Sequence, residues 1–243
     1  MSSTLDIDEE AAEPLDGRTA RAVRTREAIV DACISLLSEG DVRPSAPRIA
    51  ERAGVSVRSV FQHFDDLETL FAEIGNRTTQ RIVKLIRHID PALPLEDRIV
   101  DFFHQRCEIN EALSPTLRAA VVHAPGSPTI NSQFQTGHEL VGAHVAVVFG
   151  PELEALGDRY QSVYDSLVVA SAWSTWNLLR QLSHRSTVEA EMVVVNLACA
   201  VLGAAVGRDL TELARRQPPE LAEPEALDKA PLGERVGMGS TEP

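Results

Sequence analysis

The run Ile49-Ala50-Glu51-Arg52-Ala53-Gly54-Val55-Ser56-Val57-Arg58-Ser59-Val60 constrains this chain more than any other stretch of its 243 residues. It reads as two short helices meeting through a tight turn. Ala50 is small enough for the second helix to cross closely over the first, and Gly54 permits the positive φ that so sharp a turn requires. Ile49, Val55 and Val60 are apolar at spacings that fill the wedge between the helices. This is a helix-turn-helix pattern, in which the second helix enters a major groove while the first crosses the backbone. A generic helical corner would ask for the same Ala and Gly. The DNA reading gains from the expected exposed set Arg48, Arg52, Ser56, Arg58, Ser59, Gln62 and His63, which supplies donors for phosphates and base edges with no acid among them.

Around this run the apolar residues recur at helical spacing almost everywhere. Ile29, Ala32, Cys33, Leu36 and Leu37 share one face of a helix that Gly40 can end. Ser45 is a plausible N-cap, with Pro47 tolerable in the first turn, for a helix stopped by Gly54; Ser56 can cap the next, to about Phe64. Asp65-Asp66-Leu67-Glu68 then opens a helix through about Ile89, before Pro91 and Pro94. Further helical patterns cover about 95–111, 115–123, 128–149, 152–183 and 187–207. No stretch alternates with a period of two between hairpin turns, so the expected fold is all-α. The expected organisation is an acidic disordered tail (1–17), a three-helix DNA-binding domain (18–66), a larger helical ligand-binding and dimerisation domain (67–210) and a disordered Pro- and acid-rich tail (211–243).

Charge distribution supports this division. The chain carries 36 acids against 23 Lys and Arg, a net −13 that would repel nucleic acid if spread evenly. The two tails hold thirteen acids and four bases, whereas Arg18 to Phe64 holds eight bases and five acids. The acidity lies largely in the tails, and the first folded segment is locally basic. The first sixteen residues carry no Lys or Arg, unlike a secretory leader. The longest near-apolar stretch, Met192 to Gly207, contains Asn196 and is shorter than the ~20 residues that span a bilayer. Cys33, Cys107 and Cys199 are far apart, and the seven histidines show no metal-ligand spacing with a carboxylate or thiol. A reduced, cytoplasmic setting is expected, with no membrane, cofactor or metal.

The run from Thr25-Arg26-Glu27-Ala28-Ile29 through Gly40, the Ile49 to Ser56 segment and Phe61-Gln62-His63-Phe64 to Leu70-Phe71 resembles the DNA-binding half of the tetracycline-repressor (TetR) family. Residues 90–207 resemble that family only in helix count and order. The resemblance implies a homodimeric transcription factor on a palindromic operator, more a repressor than an activator. It also implies a C-terminal pocket for a small-molecule effector and a dimer interface made by the last two long helices. Three positions depart from the family pattern. Phe61 stands where a phosphate-binding Tyr is common, and Asp65-Asp66-Leu67 stands where a phosphate-binding Lys is common. Pro44 and Pro47 replace the usual opening of the second helix, which sets Arg48 one place late. Each lost phosphate contact removes about 0.9 from the log–log salt slope.

The candidate DNA contacts are Ser45, Arg48, Ser56, Val57, Arg58, Ser59, Phe61, Gln62 and His63. Arg58 is placed either for a bidentate guanine contact or for a phosphate; Gln62 either reads adenine or lies against the backbone. Arg18, Arg21 and Arg24 either reach the DNA or form a solvated charge run. The candidate effector contacts are Phe103, Arg106, His123, His144, Trp173 and Trp176. Arg106 interrupts an apolar stripe of Ile99, Phe102 and Phe103, so it requires a ligand anion, an internal ion pair or a route to the surface. His123 and His144 are either ligand contacts or satisfied core histidines. Trp173, Trp176 and Arg180 either form a cation–π cluster lining a pocket or pack as core with a polar edge. Residues 187–207, with Asn196, Cys199, Ala200 and Gly203 as a small-residue stripe, form either a dimer face or the central helix of a monomer. Two rival functions remain in view: a DNA-binding accessory protein that responds to no ligand, and an all-α enzyme. The second lacks any Gly-x-Ser-x-Gly, phosphate loop or acid–base pair.

Overall fold

The computed structural model describes residues 17–221, so the acidic N-terminal tail and most of the C-terminal tail lie outside the described residues. Among the described residues there are helices and no strands. The first three helices are α1 (Gly17–Ser38), α2 (Ala46–Ala53) and α3 (Val57–His63). Gly54 closes α2 with φ 66°, its N–H directed to the Ala50 and Glu51 carbonyls, and Ser56 caps α3 by accepting from the Ser59 N–H at 3.0 Å. Asp66, one place after the expected start, caps α4 (Leu67–Leu85), accepting from the Thr69 N–H at 2.7 Å. Leu70, Phe71 and Ile74 of α4 are buried in one apolar cluster with Ile29, Leu36, Ile49 and Val60. That core therefore does not end at residue 66.

The body is built on α5 (Leu95–His123) and α6 (Pro128–Glu154). The sequence pattern suggests a break after residue 111, yet α5 runs through Pro115 without interruption. Pro115 has no N–H to donate to the Glu111 carbonyl, which costs the helix one bond rather than its continuity. The reverse happens later. The continuous pattern at 152–183 resolves into α7 (Tyr160–Ser171), α8 (Trp173–Asn177) and a π-helical turn over Leu178–Leu182. The break is Ala172, extended at φ −70° and ψ 146°. Polar groups satisfy the freed backbone: Asn110 Nδ2 donates to the Ser171 carbonyl at 3.2 Å, and Thr175 Oγ1 donates to the Val169 carbonyl at 2.6 Å.

The last long helix, α9 (Thr187–Val206), opens on a capping box of Ser186 and Glu189 and ends at left-handed Gly207. At 20 residues and a mean hydropathy of 1.7 it is long and apolar enough to cross a membrane, so length does not exclude a span. Half of it is buried inside the fold, where Ala198 and Leu202 pack among Phe102, Val145, Phe149 and Leu167. The expected small-residue stripe is split: Cys199 and Gly203 face inward, while Asn196 and Ala200 face out beside Leu197. The folded part also extends past residue 210, because α10 (Thr211–Ala214) buries Leu213 against the body core.

Candidate nucleic-acid interface and internal cavity

The exposed face of α3 is Val57, Arg58, Phe61 and Gln62. Val57 and Phe61 are 38% and 47% exposed, a large apolar display for a helix of seven residues. Burial of Val60 beneath them fixes this face outward. Arg58 makes no hydrogen bond or ion pair among the described residues, so its guanidinium is available. Ser59 and His63 are half-buried at the edge of the face. Ser56 already spends one lone pair on its cap. Ser45 makes no capping bond and leaves its hydroxyl exposed at the start of α2.

The bases of α2 are not free, contrary to the sequence expectation of an acid-free surface. Arg48 is paired with Asp41, and Arg52 clasps Glu39 through two bonds of 2.6 and 2.8 Å. The Arg52 hydrogen bond holds the Glu39 carboxyl below its ordinary range. Both acids come from the turn after α1, so the helix-turn-helix segment itself does not reveal them. Arg18, Arg21 and Arg24 are exposed along the first turns of α1. Arg26, in contrast, lies over the Phe64 ring at 4.6 Å and pairs with Glu73 at 3.1 Å, joining α1 to α4. Arg77 adds an ion pair to Asp31 across the same seam.

Above this module a cavity of about 300 Å³ opens between α4, α5, α6 and the Ala172 break. Its walls are mainly apolar, from Ile82, Ile109, Leu113, Leu117, Ile130 and Phe134. Of the six expected effector contacts, Arg106 and Trp173 line it. Trp173 Nε1 donates to Ser114 Oγ at 2.9 Å. The other four lie elsewhere. Phe103 is fully buried, edge-on to Phe102 in the body core. His144 tilts against Phe102 at 4.8 Å with Nδ1 unpartnered, and burial, aided by Arg106 and His88, pushes it down to about 4. Trp176 is buried and donates to Glu111 Oε2 at 2.7 Å. Arg180 also bonds Glu111, at 2.9 and 3.1 Å, so Arg180 and Trp176 meet on one carboxylate, while Trp173 turns to Ser114. His123 stacks on Phe71 at 3.9 Å and faces the Val42 carbonyl, at the joint between body and DNA-binding module.

Periodicity could not reveal a second buried polar cluster. Glu191 of α9, 1% exposed, meets His104 Nδ1 at 2.9 Å, and the neighbouring Glu108 pairs with Arg87 at 2.8 Å. The Glu191 bond raises the His104 pKa against the opposing effect of burial. Glu108 and Glu191 lie four and eighty-seven positions from His104, so only the first was visible as a helical neighbour.

Together these features define an all-α protein with a helix-turn-helix module and a hollow helical body. Residues 29–74 match the model of the bacterial regulatory proteins of the tetR family. Among solved structures, a TetR-family transcriptional regulator from Streptomyces coelicolor is similar at 19% identity and TM-score 0.58, covering 87% of this chain and 94% of its own. A transcriptional regulator from Rhodococcus sp. Rha1 is similar at 18% identity and TM-score 0.51, covering 79% and 96%. At these identities the structural likeness is one of fold. No curated protein sequence matches the chain. The helix-turn-helix module is thus similar to that of the tetR-family regulatory proteins, and the chain as a whole is similar to these regulators in fold.

Proposed function

We propose that the protein is a cytoplasmic, homodimeric repressor that a small molecule filling the cavity releases from a palindromic operator. One observation carries this reading. Ala120 and Ile130 line the cavity and also pack in the apolar cluster of the DNA-binding module, so one wall serves both. A ligand that favours a different spacing of that wall shifts the module by its difference in affinity for the two arrangements. The cavity itself counts against an accessory protein that responds to no ligand.

On the DNA side, Val57, Arg58, Phe61 and Gln62 face the groove, with Ser45, Arg48, Ser56, Ser59 and His63 at its edges. Two such helices about one helical turn apart read the two halves of a palindrome. The dimer face is the outward side of α9 together with the π-helical turn. Leu197, Leu178 and Leu182 are 45%, 51% and 73% exposed there, and Asn196 and Ala200 allow close approach. Sedimentation velocity tests the assembly. The full chain should run as a dimer and place two copies on one palindromic duplex, and Leu197→Glu should give a monomer that loses that complex. A monomeric wild type binding one copy per duplex would overturn the reading.

A further inference from the structure

We infer that the cavity takes a singly charged carboxylate with an elongated apolar body, and that Arg106 is its anion contact; this rests on the effector reading above. Two buried arginines of α5 make the contrast. Arg98 is 3% exposed and fully matched: Nη1 and Nη2 grip Glu152 at 2.8 and 2.5 Å, and Nη1 also reaches the Val148 carbonyl at 2.6 Å. Arg106 is 4% exposed and has no carboxylate partner among the described residues. Its Nη2 donates to the neutral Asn110 Oδ1 at 3.2 Å, and its Nε has no partner. A buried cation without a counter-ion is costly, so buried charges are ordinarily paired.

No neighbour among the described residues supplies the missing charge. Burial pushes the Cys107 thiol well above its ordinary range, so it is neutral, and His144 is neutral at pH 7. Burial lowers Arg106 itself only to about 10, so it remains a cation at pH 7. It lines the cavity together with Asn110. A guanidinium presents paired donors that match a carboxylate, and one such cation balances one negative charge. From Arg106 the lining follows α5 to Val121, about 22 Å at 1.5 Å per residue. The side chains along it are chiefly Ile109, Leu113, Leu117 and Val121, and Val121 and His138 form an exposed rim. The volume of about 300 Å³ is at the small end of ligand sites, so this bore is narrow. The charge thus sits at the end of the cavity away from the DNA-binding module, and the apolar body extends toward it.

Calorimetric titration of the full chain with octanoate, decanoate and dodecanoate, each matched by the alcohol of the same length, tests this. The carboxylates should bind one per chain and at least about tenfold more tightly than their alcohols, as expected for a hydrogen-bonded charge. In Arg106→Met and Arg106→Gln that ratio should fall to about one, with helix content checked by circular dichroism. The wild-type comparison decides the matter even where a variant does not fold. Equal binding of acid and alcohol by the wild type, binding of none, or tighter binding of decyl phosphate than of decanoate would each overturn the carboxylate assignment. Operator binding in the same samples separates the two readings. Probes that release operator without an acid preference leave the effector reading standing and remove this inference. Arg106-dependent carboxylate binding that leaves operator affinity unchanged does the reverse.

Discussion

His123 Nε2 lies 3.2 Å from the carbonyl oxygen of Val42, so the last turn of α5 is tied to the turn between α1 and α2. The ring also stacks on Phe71 of α4, and burial keeps its pKa below the ordinary value. The helix that walls the cavity thus ends on the backbone of the DNA-binding module. His123→Leu should cost about 1 kcal/mol of stability for the lost bond. It should also shrink toward one the fold-reduction in operator affinity that decanoate causes in the wild type, while calorimetry still shows decanoate binding. An unchanged reduction would place the coupling elsewhere, for example in the α1–α4 seam.

Asp41 holds Arg48, and so competes with any phosphate for it. Asp41→Asn should raise DNA affinity at low salt and steepen the log–log salt dependence by up to about 0.9, the value of one added phosphate contact. Equilibrium binding across a salt series measures this. A slope identical to wild type would mean that Arg48 lies off the DNA.

Acid should destabilise the fold through His144. Its folded pKa is about 4 against about 6.5 unfolded, so the fold favours the neutral ring. That contribution is complete above pH 6.5 and is lost as pH falls toward 4, by up to about 3 kcal/mol. His123 acts in the same sense. His104 acts oppositely: its pKa is raised, so its contribution is complete below pH 6.5 and is lost as pH rises through its folded pKa. The thermal midpoint of the wild type should fall more steeply than that of His144→Leu between pH 7 and pH 4. Parallel curves would contradict the assignment.

Gly203 is crowded by backbone rather than by a mobile side chain. A Cβ there would come 2.7 Å from the Arg208 carbonyl oxygen, beside the left-handed Gly207 that ends α9. Gly203→Ala should therefore cost about 1–3 kcal/mol, read as a lower denaturant midpoint at unchanged slope. A neutral effect would show that the end of α9 yields easily.

The helix-turn-helix module was legible because its constraints are local. Gly54, Ala50, Ser56 and the wedge of Ile49, Val55 and Val60 lie within twelve residues, and each follows from a turn, a cap or a contact. Helix spans were legible wherever a Gly or a cap punctuated the periodicity, as at Gly54 and Gly207. They failed where tertiary bonds overrode it. Pro115 marked a break that packing absorbed, and the Ala172 break was hidden because Asn110, which holds the Ser171 carbonyl, comes from another helix. The cavity was only partly legible for the same reason. A stripe on one helix shows that Arg106 is buried, but not which of Phe103, His123, His144, Trp173 or Trp176 faces the same space. The acids that hold Arg48 and Arg52 were in view in the sequence, yet their approach depends on how α1 turns into α2.

Selection of random double-stranded DNA on the purified full chain, repeated with Arg58→Ala, bears most directly on the protein as a sequence-specific regulator. Arg58 is exposed at the start of α3 with no partner among the described residues, and a bidentate base contact is worth about 1–3 kcal/mol of discrimination. The expected result is a palindromic consensus from the wild type, with preference lost in Arg58→Ala at the symmetry-related positions that this side chain reads. The absence of any consensus even at low salt, or an unchanged consensus in the variant, would contradict it.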